Sequence, residues 1–132
     1  MKAIPILFSL LFVAVFGTAQ NYFDYHKKIN KAEKHIAKEQ FAEAIPIYQE
    51  VFDSFPWIFA KDALIAGQLA VHEGQDSLAR TFVVRALKGG VELPCIYQHK
   101  FLKQLVDDTL KMEAKEYRKM YFKSIDYQLM KE

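Results

Sequence analysis

The sequence has almost no cysteine. Among its 132 residues only Cys95 carries a thiol. A lone thiol closes no disulfide within the chain, so the fold must be held together by packing. Cys95 lies between Pro94 and Ile96, and nothing beside it in the sequence supplies the cationic setting of a reactive thiol. We therefore expect Cys95 to be a buried, small apolar residue.

A strong net charge is also absent. Lys and Arg number 18 and Asp and Glu 16, so the formal net charge is +2 at pH 7. So small an excess gives no global field that would attract nucleic acid or an anionic membrane surface. We expect no nucleic-acid partner. With 52% hydrophobic and 26% charged residues, the composition is that of an ordinary globular chain, long enough for one domain.

Familiar catalytic and metal-binding motifs are missing as well. His72 and Glu73 begin like a zinc-protease motif, but Asp76 stands where its second histidine would be. The other three histidines show no metal-ligand spacing. The sequence contains neither a glycine-rich phosphate loop nor a Gly-x-Ser-x-Gly turn. We therefore predict a protein that is not an enzyme, with no catalytic residues, no metal site and no cofactor.

The first nineteen residues have the pattern of a secretory signal peptide. A positive Lys2 precedes an apolar run over residues 3–16, and small residues follow at 17–19. The run is shorter than the roughly 20 apolar residues that a membrane-spanning helix needs. We expect cleavage after Ala19 and export to the periplasm or the cell exterior. An uncleaved anchor is the alternative, and only then is membrane association expected.

Amphipathic helices are predicted along most of the remaining chain. Apolar residues recur at steps of three and four, as on one face of a helix. The first four helices are expected over residues 22–38, 41–55, 60–73 and 78–87. Two more segments follow: one starts at Leu93-Pro94, and the last carries its stripe over residues 110–125.

Several residues are expected to set the helix boundaries. Pro56 ends the second helix, because proline disfavours helical geometry in the residue before it. Gly74 and the pair Gly89-Gly90 end the third and fourth helices. Pro46 fits if its helix begins near Ala42, which places the proline in the first turn. We expect Asp76 or Ser77 to cap the fourth helix.

The two helix pairs repeat at an offset of 35 residues. The matching pairs are Ala32 with Gly67, Ala44 with Ala79, Tyr48 with Val83, and Val51 with Ala86. This pattern resembles the tetratricopeptide repeat, a 34-residue helix-turn-helix with small residues where the helices cross and a closing proline, here Pro56. Gly67, although unfavourable in a helix interior, is expected to let another helix approach closely.

The chain departs from the family at several positions. Lys28 and Lys31 stand at the tryptophan and leucine positions of the first helix, and His35 stands at its tyrosine. Val91 replaces the second closing proline. The expected fold is all-α: about two antiparallel hairpin repeats, over residues 25–56 and 57–91, with capping helices over 92–132. A plain four-helix domain with chance similarity is the alternative. The segment around Ala19-Gln20 resembles exported proteins of Bacteroidetes-type bacteria.

The resemblance implies a non-catalytic function in binding a protein or peptide. Helical repeats expose a concave face built from the first helix of each pair. That face would carry polar residues that we take as the binding site: His26, Glu33, Lys61, Gln68 and His72. Family members that grip a peptide carboxylate use a lysine and asparagines there. Ile29, Glu33 and Gln68 occupy those places, so carboxylate capture is not expected.

Two further functions stay open. The protein could bind a small molecule or an envelope lipid in a groove between the repeats and the C-terminal helix, or it could be a small enzyme of unknown type. On the last helix Lys111, Lys115, Lys119 and Lys123 form a basic stripe. Acidic residues interrupt this stripe, which favours a solvated face over a membrane-binding one.

Overall fold

The computed structural model describes residues 21–129, with side chains as far as residue 125. The predicted signal peptide and its cleavage site lie outside these residues. The described chain is all-helical and contains no strand, which confirms the all-α prediction. Its α-helices are α1 (21–36), α2 (Phe41–Ser54), α3 (Ala60–His72), α4 (Asp76–Lys88), α5 (Leu93–Gln98) and α6 (Asp108–Leu129), with a 3-10 turn at Leu102–Leu105.

Helices α1 and α2 run in opposite directions. Near the start of α1, the Tyr25 ring lies 5.4 Å from that of Phe55, just after α2. Farther along, Lys28 Nζ lies 2.6 Å from Glu50 Oε1. Helices α3 and α4 are also antiparallel. Ala60 begins α3 and Gly89 directly follows the end of α4, yet a Cβ on Gly89 would lie 3.7 Å from Ala60 Cβ.

The connection from α1 to α2 is a tight turn with a left-handed residue. Glu39 has φ 58°, and the Gln40 N–H donates to the His35 carbonyl at 2.9 Å. This bond satisfies a carbonyl at the C-terminal end of α1, which has no partner within the helix. The donor and the acceptor of this bond are only five residues apart in the sequence, so the chain reverses direction and α2 runs back along α1.

The connection from α3 to α4 is built in the same way. Gly74 has φ 73°, and the Gln75 N–H donates to the Ala70 carbonyl at 2.7 Å. Glycine adopts this conformation without the steric cost that a side chain would add. The prediction that Gly74 stops α3 is therefore confirmed.

After α4 the chain turns at Gly90, which has φ 97°. The Val91 N–H closes the helix end on the Ala86 carbonyl at 3.1 Å. A Cβ on Gly90 would lie 2.6 Å from Cζ of the Tyr121 ring, on α6. Gly90 therefore serves both the backbone turn and the close approach of α6. The expected end of α4 at the glycine pair is confirmed.

The core is continuous from α1 to α6. Fully or almost fully buried apolar side chains come from each of α1 to α4, and Ile96, Leu102 and Leu110 add to them from the C-terminal elements. Gly67 is buried in α3, and its missing Cβ would lie 3.2 Å from Leu102 Cδ2 and 3.5 Å from Val83 Cγ2. The predicted close approach at Gly67 is confirmed, and Leu102 contributes to it beside α4.

Two expectations about helix starts were wrong. Helix α2 begins at Phe41, so Pro46 is its sixth residue and lies beyond the first turn. Its missing amide leaves the Ala42 carbonyl without the usual partner. Both residues are exposed, so water can reach that carbonyl. Helix α4 begins at Asp76, one residue after Gln75, and no side chain caps it by hydrogen bonding.

The expectation for Cys95 was also wrong: its side chain is exposed. It lies on α5, a helix of six residues whose one buried residue is Ile96. So short a helix packs a single face against the core. Cys95 precedes Ile96 by one residue, about 100° around the helix, so its side chain lies off that face.

Candidate functional site

A recess lies along the C-terminal half of α3. This α3 groove has a volume of about 300 Å³ and is lined by Phe41, Ile65, Gln68, Leu69, His72 and Phe101. Phe41 opens α2, and Phe101 belongs to the segment between α5 and the 3-10 turn. The groove therefore combines apolar walls from three parts of the chain with two polar side chains from α3.

His72 is held at one end of the α3 groove by aromatic edges. Its ring centroid lies 5.0 Å from that of Phe41 and 5.9 Å from that of Phe101, both at steep angles. Its Nδ1 lies 2.9 Å from Glu73 Oε1. The side-chain amide of Gln68 donates a long 3.4 Å bond to the Leu64 carbonyl. Both groups keep hydrogen-bonding capacity for a ligand.

A second feature lies at the other end of α3. It is an aromatic cluster of six rings: Tyr22, Tyr25, His26, Phe55, Trp57 and Phe59. The Trp57 ring stacks on Tyr25 with centroids 4.9 Å apart, and the His26 centroid lies 4.4 Å from that of Tyr22. His26 Nε2 is buried without a hydrogen-bond partner among the described residues. Most of these rings fill space at the α1–α2–α3 junction.

A buried carboxyl group anchors this aromatic cluster. Asp62 has no exposed surface, and its Oδ2 accepts a 2.8 Å hydrogen bond from the Tyr25 hydroxyl. Lys61 Nζ lies 3.2 Å from the other oxygen, Oδ1. That oxygen has no hydrogen bond of good geometry within the described residues, so Lys61 supplies charge without a directed bond. The Tyr25 hydroxyl also accepts from the Phe59 N–H at 3.1 Å.

Two buried tyrosines near Asp62 have raised pKa values. Burial is the main cause at Tyr25, and the carboxyl group of Asp62 adds to it, while the Phe59 amide acts in the opposite direction. Burial also raises the pKa of Tyr48, followed by the charges of Asp62 and Glu33. Tyr48 Oη is buried without a partner among the described residues. Removing a proton there would leave a charge with no compensating donor.

The five residues predicted to form a binding site lie at different points along α1 and α3. Gln68 and His72 line the α3 groove, whereas His26 and Lys61 lie at the aromatic cluster. At 1.5 Å per residue, the seven residues from Lys61 to Gln68 and the eleven from Lys61 to His72 span roughly 10–17 Å along α3. Glu33 is exposed on α1. A single face shared by all five stays a prediction.

Sequence reasoning did not single out Asp62, Phe41 or Phe101 as site residues. A signal was present for Asp62: it precedes Ala66 by four residues and Ala70 by eight, so helical spacing puts it on the buried face. Phe101 carries no such signal, because its neighbours form no regular helix with a period to read. Its place in the α3 groove depends on tertiary packing.

Two more recesses lie along α6. One, with a volume of about 310 Å³, lies between a connector segment and the first half of α6; we call it the α6 groove. The connector comprises residues 91–94 and runs from the end of α4 into the first turn of α5. The other, of about 330 Å³, is lined by Lys88 of α4 and by Tyr117, Met120, Tyr121 and Ser124 of α6. These two recesses lie where the alternative prediction from the sequence placed a groove for a small molecule or lipid, beside the C-terminal helix.

Within residues 21–129 no cluster of three or more His, Cys, Asp or Glu side chains is suited to a metal ion. No helix in that range is both long and apolar enough to cross a bilayer.

No protein-family model, curated protein or solved structure matches the chain.

Proposed function

We propose that the chain is an exported, non-catalytic module of tetratricopeptide-like hairpins that binds a protein or peptide in the α3 groove. The observation that carries this proposal is the groove itself, where apolar walls surround the Gln68 amide and the His72 imidazole. Peptide recognition uses this combination, with apolar contact for affinity and a few polar groups for register.

The two helix connections support the repeat. Gln40, before α2, has φ −90° and ψ 66°, and Gln75, before α4, has φ −98° and ψ 59°. These residues are 35 apart, as are the left-handed residues Glu39 and Gly74 that precede them. The offset read from apolar residues in the sequence therefore recurs in backbone torsions and hydrogen bonds, which a chance match of apolar residues does not require.

Burial supports the same alignment. Within each pair that the 35-residue offset relates, both residues are buried, including Ala32 with Gly67 and Tyr48 with Val83. Gly67 lies where the α4 backbone comes close, because its missing Cβ would lie 3.6 Å from the Ala79 carbonyl oxygen. Equal burial at equivalent positions is what a stacked repeat needs, because each unit buries its stripe against the next.

The C-terminal elements have the properties of a cap in this proposal. A repeat array needs a terminal unit that covers the exposed stripe of its last repeat. Ile96, Leu102 and Leu110 are fully buried, and Leu102 reaches the Gly67 position. Helix α5 has only six residues, so this region is not a third hairpin of the same length.

The α3 groove gives a direct test. The double variant Gln68→Ala/His72→Ala should lose a partner that the wild-type protein captures from an envelope extract, while circular dichroism stays unchanged, since partly exposed side chains usually shift stability by only about 0.5 kcal/mol. The matched control is Lys111→Ala/Lys119→Ala on α6. If the control loses the partner and the groove variant keeps it, α6 is the binding surface and the proposal is wrong.

The second candidate function is the binding of a small molecule or lipid. The recesses along α6, each of about 300 Å³, favour it because they reach the lower end of the size of ligand pockets. A small enzyme has no supporting observation in the described residues, because the two tyrosines with raised pKa values are buried and neither lines the α3 groove.

A further inference from the structure

The α6 groove has two chemically different sides. Its floor is apolar, with Val91, Leu93 and Pro94 from the connector and Ala114 from α6. Its rim is cationic: Lys111, Lys115 and Arg118 project from α6 at spacings of four and three, which puts them on one face of the helix. A ligand that fills the groove therefore meets apolar surface along its body and positive charge at its edge.

A carboxylate already lies at this rim. Glu92, from the connector, pairs with Arg118 with its Oε1 2.5 Å from Nη1, and this contact lowers the pKa of Glu92. Arg118 also lies over the Phe122 ring at 5.2 Å, so two contacts fix its guanidinium. A fixed guanidinium binds carboxylates well, because little side-chain freedom is lost on binding.

The remaining cations leave one charge unmatched. Lys111 is paired with Asp108 at 2.9 Å. Lys115 makes no ion pair with another described residue. The rim thus offers one free ammonium group beside a guanidinium that already binds a carboxylate, above an apolar floor.

We propose that the α6 groove binds an aliphatic carboxylate, with its chain on the connector and its head group between Lys115 and Arg118. The volume of about 310 Å³ suits a short chain. The rim charges favour an anionic head group over a neutral one, and the apolar floor favours a hydrocarbon chain over a bare anion. Glu92 competes with the ligand for Arg118. This inference does not depend on the α3 groove.

Octanoate is the probe, and octan-1-ol and octylammonium supply the same chain with a neutral and a positive head group. Calorimetric titration of the purified protein should show octanoate bound about tenfold or more tightly than octan-1-ol, as a charge-assisted contact requires. Octylammonium should bind more weakly still. Inorganic phosphate at equal concentration should not displace octanoate. Equal affinity for the acid and the alcohol, displacement by phosphate, or no binding of octanoate would each overturn the proposal.

Variants with opposite expected effects locate the site. Lys115→Gln/Arg118→Gln should weaken octanoate binding about tenfold, whereas Lys119→Gln/Lys123→Gln removes the same charge farther along α6 and should change it less than about twofold. Glu92→Gln removes the competing carboxylate and should strengthen binding about two- to fivefold, the range of a surface ion pair. If Glu92→Gln leaves affinity unchanged or lowers it, or if the control pair loses as much as the rim pair, the assignment is wrong.

Discussion

The hydroxyl of Tyr25 joins two helices across 37 residues of sequence, by donating a 2.8 Å hydrogen bond to Oδ2 of the fully buried Asp62. The same hydroxyl accepts the Phe59 N–H at 3.1 Å, at the residue that precedes α3. One side chain on α1 therefore satisfies both a carboxyl oxygen and a backbone donor at the start of α3.

Replacing Tyr25 with phenylalanine should test the importance of this contact. The ring remains, but a buried carboxyl oxygen and an amide lose their partner, so we expect the free energy of unfolding to fall by about 1–3 kcal/mol. Urea denaturation measures the change. Tyr22→Phe is the control, because that residue is exposed and its hydroxyl makes no hydrogen bond with a described residue. Equal losses in both variants would contradict the assignment.

Alkaline pH should destabilise the protein through its two buried tyrosines. The pKa values of Tyr25 and Tyr48 are raised above the ordinary 10.0, chiefly by burial. The unfolded chain then releases these protons first, so their contribution to stability is complete below pH 10 and is lost as pH rises above it. Tyrosinate absorbance should show a group that ionises only as the protein unfolds. Titration of all seven tyrosines together near pH 10 in the folded protein would contradict this.

Two glycines allow backbone strain to be separated from steric overlap. Gly74 has φ 73°, and a Cβ added there would have nothing within 4 Å, whereas Gly90 has φ 97° and its added Cβ would meet the Tyr121 ring at 2.6 Å. Gly74→Ala should cost about 1–2 kcal/mol from the left-handed conformation alone. Gly90→Ala should cost more. Thermal unfolding measures both, and the excess at Gly90 should shrink when Tyr121 is also replaced by alanine.

Gly67 tests the closest helix approach. Gly67→Leu should lower stability by roughly 1–3 kcal/mol or more, because the added side chain meets Leu102 and Val83 in a packed interior. Gly67→Ala should be milder, since the gain of about 1 kcal/mol in helix propensity opposes one tight contact at 3.2 Å. If leucine were tolerated without loss, α3 would not need this close approach.

Helical periodicity was enough to predict the all-α class and the bounds of the first four helices. The apolar stripes placed α1 to α4 within a few residues of their observed bounds, and glycine ended α3 and α4 for the expected reason. The position of Pro46 within α2 was misjudged because proline is compatible with an exposed helix surface as well as with a first turn. The burial of Cys95 was misjudged because apolar neighbours in the sequence do not determine which face of so short a helix packs against the core.

The candidate site was less predictable, for a physical reason. Gln68 and His72 were named because the resemblance to tetratricopeptide repeats implies a concave face that carries them. Phe41 and Phe101 complete the α3 groove from segments 60 residues apart, and single-sequence periodicity contains no information about such pairings. Asp62 and Tyr25 are likewise brought together only by the packing of α1 against the start of α3.

The placement of Trp57 determines what fluorescence can report. It is the one tryptophan in the chain, and it stacks on Tyr25 in the aromatic cluster, at the opposite end of α3 from the groove that holds His72. We therefore expect its emission to follow the detachment of α1 more closely than the loosening of α6. Melting curves recorded by tryptophan emission and by helical circular dichroism coincide only if both ends of the helical stack unfold in one transition.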